Sequence, residues 1–143
     1  MPRVKIDLPE HFPFETELEI RVSDVNYGGH LGNDAVLSLA QEARIRFLGD
    51  LGYSEKDVGG CGIIQRDAAV HYKSEGTHGQ KLRVEVSAVL EGRSACEVYY
   101  RMTDASDGRE VAIVKTGLVF FDYEKRKPTR IPEAFQVAIL KED

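Results

Sequence analysis

The order of the apolar patterns constrains this chain most: one helical pattern comes early, and four long β patterns follow it without interruption. In residues 33–51, Val36, Ala40, Ala43 and Phe47 fall on one helical stripe, which Leu37, Leu39, Leu48 and Leu51 widen. A helix that apolar is expected to be wrapped by other structure, with Gly49 and Gly52 marking its fraying end. Residues 63–73, 81–91, 95–103 and 111–123 are rich in Val, Ile, Tyr and Phe and alternate with a period of two, which predicts strands. Turn signals at Glu75-Gly76, Glu91-Gly92-Arg93 and Asp107-Gly108 separate them, and the last two predict antiparallel hairpins. Upstream, residues 14–22 predict another strand, with Leu18, Ile20 and Val22 on one face. Residues 1–13, with Pro2, Pro9 and Pro13, predict an extended lead-in, and residues 131–140 a short terminal helix.

Consecutive antiparallel strands with a single early helix define an α+β class, not a parallel α/β one. A curved antiparallel sheet around one long central helix satisfies both patterns, because the helix stripe and the inner sheet face then bury one another. No repeat, low-complexity tract or linker divides the 143 residues, so residues 1–143 read as a single domain.

Composition narrows the function by exclusion. A net charge of −5 argues against a general nucleic-acid binder, although local basic residues leave an anionic ligand open. Cys61 and Cys96 have no metal-ligand spacing and read as buried reduced thiols, which fits a cytoplasmic protein. No apolar run approaches membrane-spanning length, and the N-terminal residues lack a signal peptide's apolar stretch. Neither a Walker loop, a dinucleotide glycine fingerprint, a G-x-S-x-G elbow nor a zinc motif is present, so no cofactor and no metal is expected.

Chemistry concentrates between residues 21 and 44, where the chain reads RVSDVNYGGHLGNDAVLSLAQEAR. Asp24, Asn26, His30 and Asn33 crowd a glycine-rich turn that opens the helix. Free N–H groups and the partial positive charge of a helix start suit an oxygen that gains negative charge. Asp24 and Asn26 also have an ordinary role in such a place, as turn formers that satisfy local N–H groups. Glu42 is either a surface residue paired with Arg46 one turn on or an inward-facing carboxylate suited to general-base work. For the His30 ring a helix-entry role is the plainer reading.

The same segment resembles hotdog-fold thioesterases of the 4-hydroxybenzoyl-CoA type, which carry R-x-x-D-x-D-x-x-G-H-x-x-N followed by E-A-R. The match falls on Arg21, Asp24, Gly29, His30, Asn33, Glu42, Ala43 and Arg44, and departs at Asn26, where those enzymes place their catalytic Asp. The resemblance implies a hotdog fold, a homodimer or homotetramer with sites at the subunit interface, and hydrolysis of an acyl-CoA thioester. It implies catalytic roles for Asp24, Asn26, His30 and Glu42, with Glu42 or Asp24 supplying the carboxylate that Asn26 lacks. Gly29, Asn33 and Arg93 are then substrate-binding, the thioester carbonyl being held by backbone N–H groups of the 28–33 turn. Arg93, in a hairpin turn, is either a contact for CoA phosphates or a solvated strand end. Two alternatives stay open: an enoyl-CoA hydratase, whose D-x-N-P-x-H pattern this chain meets without the Pro and with one extra residue, and a non-catalytic acyl-CoA-binding protein.

Overall fold

The computed structural model describes residues 3–142, in the order β1 (Phe14–Glu19), a 3-10 turn (Val22–Asp24), α1 (Asn33–Asp50), β2 (Gly62–Tyr72), β3 (Lys81–Glu91), β4 (Ala95–Asp104), β5 (Glu110–Asp122), β6 (Lys127–Pro128) and α2 (Glu133–Glu142). Residues 1–2 of the expected lead-in lie outside the described residues. The six strands form one curved antiparallel sheet in the order β1-β3-β4-β5-β2, with the short β6 added to the end of β5. Both predicted hairpins are present, β3 to β4 and β4 to β5. The chain leaves β2 at one edge of the sheet and re-enters it at β3, beside β1 near the other edge.

Alternation explains the inner face. Val84 and Val86 of β3 and Val98, Tyr100 and Met102 of β4 are all buried, two residues apart along each strand. They meet Val36, Ala40, Ala43 and Phe47 of α1, the stripe read from the sequence, and all four of those are buried. The Phe47 ring lies 5.7 Å from that of Phe14, which closes the β1 side of the core; burying an aromatic of this kind contributes roughly 2 kcal/mol.

Two expectations need correction. The first strand ends at Glu19, not residue 22, because the Asp24 carboxylate accepts the Arg21 N–H at 2.8 Å and folds the chain into the 3-10 turn. Val22 consequently leaves the core face and is 72% exposed. Nor is α1 wrapped on all sides. Its burial runs two residues in and two out, which leaves Leu37 and Ile45 exposed beside Ser38, Gln41, Glu42 and Arg46. The sheet covers only one side of the helix, so Leu37, on the widened part of the stripe, stays outside.

Candidate active site

At the end of the sheet where β3 begins, loop 20–32 meets loop 73–80. The Ile20 N–H donates to the Gln80 carbonyl at 2.9 Å, the Gly79 N–H to the Ile20 carbonyl at 2.8 Å, and the Leu31 N–H to the Gly76 carbonyl at 2.8 Å. The space at Gly76 is tight. A Cβ there would lie 2.7 Å from Ile20 Cδ1 and 3.1 Å from Leu31 Cβ, inside contact distance of a buried core residue. Gln80 secures the same loop, accepting the Thr77 N–H at 3.0 Å and donating to Asp104 at 2.7 Å.

Inside loop 20–32 nearly every polar group is committed. Asn26 Oδ1 accepts the N–H groups of Gly28 at 2.9 Å and His30 at 3.3 Å, and the Asn26 N–H donates to the His30 carbonyl at 2.8 Å. Gly29 takes a left-handed φ of +82° that lets the turn close. The Gly32 N–H goes to the Asp24 carbonyl at 2.9 Å. Asp24 itself is 5% exposed, and its carboxylate is enclosed by the Arg21 N–H and guanidinium. The turn former's role describes what Asp24 and Asn26 do here.

That accounting relocates the open donors. The N–H groups of Gly28, Gly29, His30, Leu31 and Gly32 all have internal acceptors. Asn33 and Asp34, the first two residues of α1, have N–H groups with no acceptor among the described residues. Asn33 lines a cleft of about 260 Å³ together with His30, Val36, Tyr72 and Glu75. The Tyr72 hydroxyl, at the end of β2, donates to the Asn33 carbonyl at 3.1 Å and fixes the helix start against the edge strand. His30 Nε2 stands 3.1 Å from Glu75 Oε2 at the cleft mouth.

The other candidates lie elsewhere. Glu42 sits on the open face of α1, 48% exposed, and accepts from Arg46 Nε at 2.8 Å in a separate groove with Arg21, Ser38 and Leu39. Arg93 is exposed in the β3–β4 turn, where its carbonyl accepts the Ile131 N–H at 2.8 Å. It is therefore at the opposite end of the sheet from His30, a β3-length away, about 33 Å at the usual rise per residue. The structure thus brings Asn26, Gly29, His30 and Asn33 together and leaves Glu42 and Arg93 of the same protomer apart from them.

Three residues at this site carried no functional signal in the sequence. Glu75 and Gly76 registered only as a turn, and Tyr72 as one more aromatic residue in a strand. What makes them relevant is the docking of one loop on another, a long-range contact that periodicity does not report.

A curved antiparallel sheet packed on one long helix, with a polar turn at the helix start opening on a cleft, defines the hotdog class of α+β proteins. The chain belongs to the thioesterase-like superfamily, whose family model matches residues 20–139. Solved structures agree on the fold. A 1,4-dihydroxy-2-naphthoyl-CoA thioesterase from Synechocystis is similar at 20% identity, covering 89% of this chain and 95% of that one with a TM-score of 0.82. The corresponding enzyme from Staphylococcus aureus shares 21% identity over 87% of this chain and 89% of its own, with a TM-score of 0.77. A further Staphylococcus aureus protein, solved in complex with CoA, shares 15% identity over 90% of this chain and 82% of its own, with a TM-score of 0.81. No curated protein sequence matches this chain significantly. Among the described residues, no helix is long and apolar enough to cross a membrane.

Proposed function

We propose that this protein hydrolyses an acyl-CoA thioester to the free acid and CoA. The observation that carries this reading is the pair of uncommitted N–H groups at Asn33 and Asp34, with Asn33 and His30 lining the same cleft, in a chain of the thioesterase-like superfamily. A thioester carbonyl placed at the start of α1 would gain negative charge where backbone donors and the helix dipole favour it. Asn26 holds the turn that presents them, and Gly29 gives that turn its conformation. Because a thiolate leaves readily, stabilising the oxyanion and positioning a water do much of the work.

The active unit is a homodimer or homotetramer in this reading. β2 is an eleven-residue edge strand paired on one side only, by β5, and such an edge invites a second copy. Antiparallel pairing of two β2 strands sets the Tyr72 end of one protomer beside the Gly62 end of its partner. Arg93 of the partner subunit then lies at the same end of the paired sheet as the His30 cleft, which its own protomer's Arg93 does not.

The test is release of free CoA thiol from benzoyl, short-chain and long-chain acyl-CoAs. The protein's own thiols leave that readout clean: burial pushes Cys96 up to about 12, and burial first, then the charges of Asp122 and Asp57, raise Cys61. Turnover above the buffer rate for any member supports the proposal. Thermal stabilisation by the same ligands with no thiol released favours a binding protein, a reading that the amide at position 26 supports.

A further inference from the structure

The segment that most resembles the thioesterase pattern lacks the carboxylate of that pattern, and the structure withholds both substitutes read from the sequence. Asp24 is enclosed by Arg21, and Glu42 faces another groove with Arg46. A different carboxylate stands at the cleft. Glu75 Oε2 is 3.1 Å from His30 Nε2, and both residues line the cleft that Asn33 opens on.

We propose that Glu75 and His30 form the acid/base pair of this site, Glu75 orienting the imidazole and His30 accepting the proton of the attacking water. The inference rests on the thioesterase reading and supplies the base that reading needs.

The geometry has three parts. First, Glu75 Oε2 lies in ion-pair contact with Nε2 at the cleft, a neighbour that favours hydrogen on that nitrogen and leaves Nδ1 free to accept, and no bond from a protein donor to Nδ1 is found among the described residues. Base, orienting carboxylate and oxyanion donors then follow the arrangement by which acyl-transfer sites are recognised on unrelated folds. Second, the pair is held by backbone. The Leu31 N–H to Gly76 carbonyl bond and the His30–Thr77 bridge fix loop 73–80 against the turn, and Gly76 packs closely on Ile20 and Leu31. Third, the same loop leaves no room for the alternative use of His30. A hydratase needs an Asp and a His on either side of a double bond, and Asp24 is already committed to Arg21. One base with one orienting carboxylate suits a reaction with a single proton to accept.

The step balances without a co-reactant other than water. The water oxygen forms a bond to the thioester carbonyl carbon as one of its protons passes to His30 Nδ1. The carbon–sulfur bond then breaks, and His30 returns that proton to the departing CoA sulfur. The products are the acid and the CoA thiol, and the enzyme is unchanged.

The experiment measures thiol release on an acyl-CoA that the wild type turns over, with His30→Ala, Glu75→Gln and Glu75→Asp. His30→Ala should lower kcat about a hundredfold with little change in KM. Added imidazole should restore part of that rate, as it cannot for a residue that only shapes the loop. Glu75→Gln should lower kcat by on the order of tenfold, and Glu75→Asp should recover most of it. Glu75 is 75% exposed, so its variants keep the fold. Long-range nitrogen–proton NMR should show His30 with hydrogen on Nε2 in the wild type and a mixture of tautomers in Glu75→Gln. Wild-type rates in both His30→Ala and Glu75→Gln overturn this assignment alone, as does a His30→Ala defect that imidazole leaves untouched. No thiol release by the wild type overturns the thioesterase reading and this one with it.

Discussion

Arg44 and His30 both tie the α1 region to distant parts of the chain, and they do so in opposite ways. Arg44 is 4% exposed. Its guanidinium donates to Glu55 at 2.9 Å, to the Tyr100 hydroxyl at 2.9 Å and to Gln65 at 3.3 Å, while Tyr100 in turn shares a 2.7 Å bond with Thr116. Burial works against the guanidinium's charge, yet Tyr100 and Glu55 outweigh it and raise its pKa. No buried side-chain nitrogen or oxygen among the described residues is left unpaired. The His30 side chain, by contrast, is 45% exposed, with Nε2 in ion-pair contact with Glu75 alone and no protein donor on Nδ1 among the described residues. A saturated buried knot has nothing left to offer a ligand and serves to fix α1 on the sheet. The unsaturated pair at the cleft has capacity in reserve, and that is where chemistry can be added.

The largest effect that tests this contrast falls on the closed knot. Arg44→Ala leaves Glu55 and the Tyr100 hydroxyl without their cation and opens a void between α1 and β4. Urea denaturation should show a loss of about 3 kcal/mol or more. A loss under ~1 kcal/mol would mean that the knot is not the fastening described here. Gly76→Ala comes next, because the added methyl meets Ile20 and Leu31 inside contact distance. It should cost about 1–3 kcal/mol and, by moving Glu75 away from His30, should lower thiol release beyond what the folded fraction explains. Equal losses of fold and activity would detach the loop's position from catalysis. Smaller again is Glu42→Ala. Its exposed contact with Arg46 is worth only about 0.3–0.5 kcal/mol, so stability and turnover should both stay close to wild type. Abolished turnover would return the base to Glu42 and dissolve the distinction drawn between the two faces of α1.

Much of this was legible before any coordinates. The core stripe of α1, the four long strands and both hairpins follow from periodicity and turn residues, because each is a local property repeated over ten or more positions. Asn26, His30 and Asn33 fall together because one turn carries all three, and Gly29 joins them through the resemblance of that segment. The open face of α1 was not legible: apolar spacing tells which residues prefer burial, and the sheet decides how many obtain it, so Leu37 and Ile45 stayed outside. Nor was the commitment of Asp24, whose neighbour Arg21 looked like a family marker and proves to be its partner. Arg44 was read from E-A-R without a role because its partners come from the Glu55 loop and three different strands. Glu75 was hidden for the same reason.

The smallest effect concerns the far anchor of loop 73–80 and comes through pH. Asp104 accepts from the Ser106 hydroxyl and N–H, from Gln80 Nε2 and from the Asp107 N–H. Those bonds, the Ser106 hydroxyl foremost, hold its carboxyl down at about 2. An unfolded Asp titrates near 3.9, so the folded pKa is depressed, and the carboxylate's contribution is fully present above about pH 4. It is lost as pH falls through about 2, when protonation takes an acceptor from Ser106 and from the Gln80 amide that steadies Thr77. The stability difference between wild type and Asp104→Asn should therefore stay level from pH 7 to about 4 and close between about 4 and 2. A difference that persists unchanged at pH 2 would show that the neutral acid holds the loop as well as the carboxylate does. The placement of Glu75 beside His30 would then depend on Gly76 and the Leu31 backbone alone.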